Sequence, residues 1–157
     1  MRAVVQRVTT ASVTVGGEVV GAVGRGLLVL LGVARNDSRR EADWLADKLV
    51  ALRIFENAAG KFDASVQEIG GEILVVSQFT LYGDVRKGRR PSFSEAATPE
   101  LAATLYERVI ERIEEHRVPV CGGRFGARMQ VRLVNEGPVT VILESPRDGG
   151  AELPEER

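Results

Sequence analysis

Gly26-Leu27-Leu28-Val29-Leu30-Leu31-Gly32-Val33 is an apolar segment of strand length that contains a glycine near each end. Because every residue from Leu27 to Leu31 is apolar, the pattern is that of a β-strand buried on both faces, and its length favours a strand over a helix. The same run is far too short to cross a bilayer. We therefore expect the fold to be arranged around this central strand.

Further strands are expected on the N-terminal side of this segment. Ala3 to Val8 has a strand pattern that continues through Val13-Thr14-Val15. Gly16-Gly17 suits a tight hairpin turn, after which Glu18 to Val23 is expected to return antiparallel. The first third of the chain is therefore predicted to be β structure.

Strand patterns also occur from Glu72 onward. Glu72 to Gln78 is predicted to be a strand that leads directly into Phe79-Thr80-Leu81. Met129 to Leu133 alternates between apolar and polar residues, Asn135-Glu136-Gly137 supplies turn residues, and Val139 to Leu143 has the pattern of a last strand. We predict that these last two strands form a hairpin.

Two helices are marked by the residues at their N-termini. Ser38 and Glu41 have the spacing of a capping box. Thr98 has the pattern of an N-cap with Pro99 at the first helical position, and apolar residues then recur at every fourth position. This second helix is expected to end near Arg117, before a proline.

These elements predict an α+β fold with a mainly antiparallel, barrel-like curled sheet and two main helices packed on it. The 157 residues have the size of one domain with a hydrophobic core. We assign the domain to residues 1–144. Residues 145–157 are rich in proline, glycine and charge, and are expected to form a disordered tail.

Composition excludes several classes of protein. The formal net charge is -1, whereas proteins that grip long duplex nucleic acid are usually markedly basic. A single cysteine, Cys121, excludes an intrachain disulfide and a multi-thiolate zinc site. We predict no metal, cofactor or membrane span, and the chain start resembles no signal peptide. The expected compartment is the cytoplasm.

Four segments place polar or conformationally special residues in or beside apolar strands. Ser77, Gln78 and Thr80 follow a core-like strand, which would hold a site rigidly; an ordinary polar strand end is the alternative. The basic run Arg86 to Arg90 suits phosphates and a stacked base, and a solvated loop fits it equally well. The four segments are Gln6-Arg7, Ser77 to Leu81, Arg86 to Phe93, and Asn135 to Thr140.

His116 and Gly137-Pro138 are open to ordinary structural interpretations. A lone histidine at a helix C-terminus suits a capping role, and a single histidine leaves no credible Ser-His-Asp or Cys-His arrangement. Gly137-Pro138 offers two adjacent carbonyl groups whose direction depends on the peptide isomer. Since only about 5–6% of X-Pro bonds are cis, the residue pattern alone favours a trans bond that ends a turn.

Two motifs resemble the signature motifs of D-aminoacyl-tRNA deacylases. They are Ser77-Gln78-Phe79-Thr80-Leu81 and Asn135-Glu136-Gly137-Pro138-Val139-Thr140, in the order and separation of that family. The likeness covers roughly residues 1 to 144 and includes Ala3 to Val8, Leu52 to Phe55, Gly88 to Phe93, and Gly123 to Ala127. The chain departs from the family pattern at Asn57, Phe62 and Arg128, where Asp, Met and Asp are expected.

The resemblance implies a homodimer with active sites at the subunit interface, which hydrolyses the ester between a D-amino acid and tRNA. Gly137-Pro138 of one subunit would be cis and would complete the partner's site, where its carbonyl oxygens bind the substrate's α-ammonium and leave no room for an L side chain. Gln6 and Arg7 would brace this segment. Because glycine has no side chain, glycyl-tRNA mischarged on tRNA(Ala) is a second expected substrate.

The resemblance also implies a pocket for the ester and the terminal adenosine, lined by Ser77, Gln78, Phe79, Thr80, Phe125 and Met129. The candidate catalytic residues are Gln78, Phe79 and Thr80. In this family Thr80 has been regarded as a nucleophile, but a threonine hydroxyl needs an activating base and the sequence supplies no evident one. We expect attack by water, assisted by the ribose 2′-hydroxyl of the substrate, with backbone N–H groups near Phe79 and Thr80 stabilising the oxyanion.

Two other functions fit the residues. One is a module that binds a nucleic-acid end through the basic loop and aromatic side chains and performs no chemistry. The other is a hydrolase of small D-amino-acid esters that ignores RNA. The preferred D-amino acid and the tRNA features that are read do not follow from the sequence.

Overall fold

The computed structural model describes residues 1–147. Its α-helices and strands alternate irregularly, and the predicted α+β class is confirmed. In chain order the elements are β1 (Arg2–Val15), β2 (Glu18–Val23), β3 (Gly26–Gly32), α1 (Arg39–Ala51), β4 (Phe55–Glu56), β5 (Phe62–Ala64), β6 (Glu72–Ser77), a 3-10 turn (Phe79–Tyr82), α2 (Pro99–Glu115), β7 (Val120–Gly122) and β8 (Gln130–Glu144).

The main sheet is mixed, so the prediction of a mainly antiparallel sheet needs correction. Strand β1 pairs antiparallel with β2, β3 and β8, whereas β3–β6 and β6–β7 are parallel pairs. The physical reason is that α1 lies between β3 and β6 in the chain, and α2 lies between β6 and β7. Such crossovers return the chain to the same end of the sheet and therefore produce parallel neighbours.

Strand β8 is continuous, and the predicted hairpin between residues 129 and 143 is wrong. Both halves of β8 pair antiparallel with β1, from Arg2 opposite Glu144 to Thr14 opposite Gln130. The register shifts between Gln6 and Val8. Arg7, the one β1 residue between them, lies opposite all the β8 residues between Asn135 and Thr140. The turn-forming residues of this segment therefore make a bulge in one strand and do not reverse the chain.

The predicted caps and the first hairpin turn are confirmed. Ser38 and Glu41 form both hydrogen bonds of a capping box at the start of α1, and Thr98 Oγ1 accepts a hydrogen bond from Leu101 N at the start of α2. Gly16 and Gly17 both have positive φ, which suits the tight turn between β1 and β2. These features follow from local hydrogen bonds, which explains why the sequence revealed them.

Apolar clusters cover both faces of the sheet. One cluster lies under α1 and α2 and includes Val29, Leu45, Ile73 and Val109. The other lies on the opposite face of the sheet and includes Val8, Leu28, Leu74 and Val76. Leu27, Leu28, Val29 and Leu31 are at most 1% exposed, which confirms a central strand buried on both faces.

Ion pairs connect the two helices, which run side by side in the same direction. Arg108 Nε lies 2.6 Å from Asp43 Oδ1, and Arg112 Nε lies 2.8 Å from Asp47 Oδ1. The hydrogen bond from Arg112 is the main reason that the pKa of Asp47 is lowered. His116 is the C-cap of α2, as expected, and its Nε2 lies 2.6 Å from the same carboxylate.

The C-terminal end of the described chain is partly buried. Ser145, which the sequence assigned to the tail, is 8% exposed, and its Oγ accepts a hydrogen bond from the Met1 amine at 2.7 Å. Ser145 therefore packs against the domain, while positions 148–157 of the expected tail lie outside the described residues. Within residues 1–147 no helix is long and apolar enough to cross a membrane.

Candidate functional site

The carboxyl ends of the three parallel strands meet at one edge of the sheet. Leu31 near the end of β3 is opposite Ser77 at the end of β6, and Gly122 ends β7 beside Val75. In parallel α/β sheets this edge is where ligands usually bind. The motif that begins at Ser77 and the segment that contains Phe125 therefore leave the sheet on the same side.

The turn after β6 presents the first candidate motif. Gln78 N donates to Leu31 O at 2.7 Å, which holds the chain against β3 as it leaves the strand, and Leu81 N donates to Gln78 O at 3.2 Å to close the turn. Phe79 and Thr80 are exposed at the start of this turn. The Phe79 ring is 56% exposed and makes an edge contact with Phe93, with ring centroids 5.0 Å apart.

The side chain of Gln78 orients the hydroxyl of Thr80. Gln78 Nε2 donates a hydrogen bond to Thr80 Oγ1. Among the described residues this amide is the hydrogen-bond partner of that oxygen, and a carboxamide cannot act as a base that removes the hydroxyl proton. The arrangement suits a hydroxyl that positions a substrate group, and it lacks the general base of an activated nucleophile.

Phe125 and Met129, the two further adenosine candidates, lie beyond β7. The Phe125 ring packs against Tyr106 with centroids 6.0 Å apart. Tyr106 is fixed from α2, because its hydroxyl donates to Val75 O at 2.8 Å and burial raises its pKa to about 12. Met129 is half-buried against the apolar cluster that includes Leu28 and Leu74. Phe125 is thus an exposed ring on a rigid support, whereas Met129 is largely a packing residue.

Arg7 holds the second candidate motif to the rest of the domain. Its side chain is buried, Nε donates to Glu136 O at 3.0 Å, and Nη1 donates to Ile54 O at 2.9 Å. The guanidinium also lies 5.6 Å from the Phe62 ring centroid. A planar group with several fixed donors can satisfy two carbonyl oxygens at once, which an ammonium on a flexible stem does poorly.

Side chains from two strands fix the ends of the same segment. Asn135 accepts a hydrogen bond from Val139 N at 2.8 Å and donates to Thr140 Oγ1 at 3.1 Å, and Gln6 Nε2 donates to the same hydroxyl at 3.3 Å. The segment between Asn135 and Val139 is therefore bridged at its base. Arg7 contacts this segment at Glu136, and Gln6 contacts Thr140 directly after it.

The centre of this segment requires a glycine, which is Gly137. Its φ is +137°, and an added Cβ would lie 2.9 Å from Val139 N and 3.2 Å from Arg7 Nη2. The peptide bond between Gly137 and Pro138 is cis, so the trans bond favoured by the residue pattern alone is wrong. Both residues are exposed at the surface.

Sequence reasoning missed the contribution of the short β4–β5 hairpin. Ile54 accepts the Arg7 hydrogen bond, and Glu56 Oε1 lies 3.6 Å from Arg7 Nη2. Phe62, a departure from the family pattern, supplies the ring near the same guanidinium. Asn57, another departure, caps the turn by accepting hydrogen bonds from Ala59 N and Lys61 N. Two of the three departures, Asn57 and Phe62, lie on this hairpin and were the available signal.

The two motifs do not meet within one chain. Arg7 on β1 lies opposite the segment that contains Gly137. Ala3, four residues earlier on β1, pairs with Leu31 of β3, which in turn pairs with Ser77 of β6. Four residues span about 13 Å, and the three strand steps from β8 to β6 span about 14 Å. The separation is therefore roughly 20 Å across the sheet.

No metal centre is formed by the described part of the chain. Residues 1–147 contain no group of three or more His, Cys, Asp or Glu side chains arranged to hold a metal ion. Cys121 is half-buried, and burial raises the pKa of its thiol. Arg128, near the adenosine candidates, is exposed.

Comparisons with known proteins agree on one family. The family model described as D-Tyr-tRNA(Tyr) deacylase matches residues 4–144. A protein of Anaeromyxobacter dehalogenans named D-aminoacyl-tRNA deacylase is 63% identical over 147 residues, covering 94% of this chain and 99% of that protein. A protein of Desulfitobacterium hafniense with the same name is 55% identical over 148 residues, with coverage of 94% and 99%.

Solved structures share the fold. The structure described as c-Myc DNA Unwinding Element Binding Protein has a TM-score of 0.88 and 47% identity, and the match covers 94% of this chain and 100% of that one. A probable eukaryotic D-amino acid tRNA deacylase has a TM-score of 0.78 at 21% identity, with coverage of 90% and 97%. At that identity the second likeness concerns the fold alone.

Proposed function

This chain belongs to the D-Tyr-tRNA(Tyr) deacylase family, whose members are hydrolases, and from that premise we propose that it hydrolyses the ester bond of D-aminoacyl-tRNA. The products are the free D-amino acid and tRNA. The observation that carries the proposal is that both motifs of the resemblance are held rigidly at exposed positions. The substrate makes the cytoplasm the expected compartment.

Handedness is selected by the segment between Asn135 and Val139. Main-chain oxygens of Gly137 and Pro138 bind the α-ammonium of the substrate, and the backbone occupies the space that an L side chain would need. The bonds from Arg7 and Asn135 support this role, because a steric filter must not yield to the wrong substrate. Since main-chain atoms do the selecting, the D side chain matters little, and glycine also enters.

Each active site is completed by a second copy of the chain. The two motifs lie roughly 20 Å apart in one chain by strand geometry, which is too far for both to contact one aminoacyl ester. Strand β8 carries the selective segment and pairs with β1 on one side only in the described chain. It also exposes Val134 and Ile142, by 56% and 66%. A long edge strand with exposed apolar residues is a typical subunit interface.

Catalysis requires no covalent intermediate in this proposal. Water attacks the carbonyl carbon of the ester, its proton passes through the ribose 2′-hydroxyl to the leaving 3′-oxygen, and the bond between that oxygen and the carbonyl carbon breaks. The first N–H groups of a helical turn have no partner within the turn, so those of Phe79 and Thr80 are suited to stabilise the oxyanion. Gln78 keeps the Thr80 hydroxyl oriented.

The test is deacylation of matched D- and L-aminoacyl-tRNA by the purified protein. We expect rapid hydrolysis of several D-aminoacyl-tRNAs, slower hydrolysis of glycyl-tRNA, and rejection of the L forms. A thousandfold preference needs only about 4 kcal/mol between the two transition states, which a clash with fixed backbone is able to supply.

Two outcomes would contradict the proposal. Binding of tRNA without ester hydrolysis would favour a module that holds an RNA end. Hydrolysis of small D-amino-acid esters at the rate seen with D-aminoacyl-tRNA would favour an esterase that ignores the nucleotide.

A further inference from the structure

We propose that the loop from Arg86 to Arg90 binds phosphate groups of the tRNA strand that carries the ester, through Lys87, Arg89 and Arg90. The identity of the RNA rests on the proposed function, but the binding site does not use any residue of the two motifs. The loop is therefore an RNA-positioning element that is separate from the chemistry at the ester.

Main-chain hydrogen bonds join the two ends of this loop. Asp84 and Ser92 exchange two main-chain hydrogen bonds, of 2.8 and 2.9 Å, so the two arms of the loop form a closed neck. Below the neck, Gly83 N donates to Thr80 O at 2.9 Å. The loop therefore follows directly after the turn that contains Thr80. Phe93, which comes directly after Ser92, contacts Phe79.

Asp84 fixes the first cation of the loop. Its carboxylate accepts hydrogen bonds from Arg86 N at 3.0 Å and from Arg86 Nη2 at 2.6 Å, and these bonds hold the pKa of Asp84 at about 2. Arg86 is thus neutralised and ordered at the neck. A loop with an ordered neck loses less conformational entropy when a ligand binds to its tip.

The remaining cations of the loop have no such partner. Lys87, Arg89 and Arg90 are exposed, and no ion pair involves them in the described residues 1–147. Gly88 separates them with a positive φ of 67° at the tip. Three cations within four positions stand out in a chain whose net charge is -1. Such a cluster attracts a chain of phosphates and releases their counterions.

The short length of the loop restricts its phosphate contacts to nucleotides near the ester. Gly88 is four residues from Asp84, and an extended chain covers at most about 3.5 Å per residue, so the tip lies within about 14 Å of the neck. That distance corresponds to a few nucleotides next to the terminal adenosine, and it excludes remote parts of the tRNA. The aromatic pair between the tip and Thr80 is placed where a base would stack.

The neighbouring groove is not suited to phosphates. This groove, of about 800 Å³, reaches from the N-terminus to the neck of the loop. Its carboxyl groups balance its guanidinium groups and the Met1 ammonium, which pairs with Asp37, so its field does not favour an anion. The carboxyl groups belong to Asp37, Glu41, Asp84, Glu95 and Glu144, and the guanidinium groups to Arg2, Arg35, Arg86 and Arg147. The tip of the loop is therefore the phosphate site.

The experiment compares tRNA binding with hydrolysis of a substrate that has no phosphate. The variant combines Lys87→Gln, Arg89→Gln and Arg90→Gln. Its Kd for uncharged tRNA should rise about tenfold or more in 50 mM salt, and the slope of log Kd against log salt should fall by about 2, or about 0.7 for each lost contact. Hydrolysis of a D-aminoacyl ester of adenosine should stay within about twofold of the wild-type rate.

The matched control removes cations at the other end of the molecule. Lys48 and Arg117 lie at the C-terminal ends of α1 and α2, whereas the loop precedes the N-terminal end of α2. Lys48→Gln with Arg117→Gln should leave both the Kd and its salt slope close to the wild-type values. An equal loss of binding in this control would overturn the proposal, because it would show a general charge effect.

Three other outcomes would also overturn it. An unchanged Kd and salt slope in the triple variant would show a solvated loop. A parallel loss of adenosine-ester hydrolysis would show that the loop only shapes the pocket through Phe93. Tighter binding of a DNA duplex than of tRNA, lost in the same variant, would contradict the tRNA assignment. If the wild type hydrolyses neither ester, the proposed function fails, and the binding measurement still decides the role of the loop.

Discussion

The hydroxyl of Thr80 accepts a hydrogen bond from a neighbouring side chain, and no base contacts it within residues 1–147. Gln78 Nε2 donates to Thr80 Oγ1, which engages one of the two lone pairs of the hydroxyl oxygen and supplies no group that could remove the hydroxyl proton. The hydroxyl proton remains available for donation to the substrate. On this basis we expect Thr80 to orient the ester or the ribose of the substrate.

Replacement of Thr80 tests that assignment. In Thr80→Ala we expect kcat/KM for D-aminoacyl-tRNA to remain within about tenfold of the wild type, because only about 1.4 kcal/mol of orientation is lost. A nucleophile would instead lose a thousandfold or more. Thr80→Ser is the matched control for folding, and single-turnover kinetics gives the measurement. An inactive alanine variant beside an active serine variant would favour an acyl-enzyme.

Arg7 joins three parts of the chain through one guanidinium. It binds main-chain oxygens of Glu136 and Ile54 and lies near the Phe62 ring. Lysine keeps the charge but does not reproduce the two divergent N–H donors. The position of the selective segment therefore depends on the shape of this side chain as well as on its charge.

Arg7→Lys should loosen that segment. We expect a loss of about 1–3 kcal/mol in the free energy of unfolding, because a buried carbonyl loses its donor, together with faster relative hydrolysis of L-aminoacyl-tRNA. Arg53→Lys is the control, since Arg53 makes an exposed pair with Asp63 and should change stability by no more than about 0.5 kcal/mol. Chemical denaturation and the D/L rate ratio are the measurements. Unaltered selectivity in Arg7→Lys would count against the bracing role.

At the scale of elements, β3 and β6 approach each other closely at their first residues. Gly26 pairs with Glu72, and a Cβ added to Gly26 would lie 2.7 Å from Glu72 N and closer still to Glu72 O. These are main-chain atoms of a strand, so they do not move aside easily. The parallel pair that carries the first motif thus requires glycine at position 26.

Gly26→Ala should be severely destabilising. We expect a loss of about 3 kcal/mol or more in the free energy of unfolding, because overpacking against backbone displaces β6. Gly24→Ala is the matched control two residues away, where a Cβ would find only Glu72 Oε2 at 3.8 Å, and it should change stability by about 1 kcal/mol at most. Thermal unfolding of both variants gives the comparison. Equal stability of the two would mean that the strand contact is easily relieved.

At the scale of the whole molecule, our proposal requires the two motifs of one active site to come from different copies of the chain. Their separation of roughly 20 Å follows from the sheet register. The exposed side chains of β8, Val134 and Ile142 among them, form the apolar part of the face that carries the selective segment. Activity and oligomeric state are therefore expected to change together.

A charge on β8 should break the assembly. We expect the wild type to have twice the mass of one chain, and Ile142→Asp to be a monomer with little deacylase activity, because the proposed interface would bury this side chain. Val85→Asp is the control, since Val85 is equally exposed at 66% but lies in the loop after the 3-10 turn, and it should stay dimeric. Analytical ultracentrifugation and deacylation are the measurements. A fully active monomer would contradict cross-subunit completion.

Local features were predictable from the sequence because their causes lie within a few residues. The capping box at Ser38, the N-cap at Thr98 and the glycine turn after β1 each depend on neighbouring hydrogen bonds or on φ. The apolar run from Leu27 to Leu31 was enough to predict a strand that is buried on both faces. In the candidate site, Ser77 to Thr80 and the Asn135 to Thr140 segment were identified by their resemblance to a family.

The chain alone indicated the strands β1, β2, β3 and β6 and both helices, and its two short motifs resemble those of one family. Tertiary structure alone decided that β8 runs straight along β1, that β3, β6 and β7 are parallel, and that Arg7 reaches Ile54 as well as Glu136. It also decided that the two motifs are far apart in one chain. The physical reason is that strand pairing and burial depend on residues distant in sequence, and the periodicity of one segment carries no information about its partner.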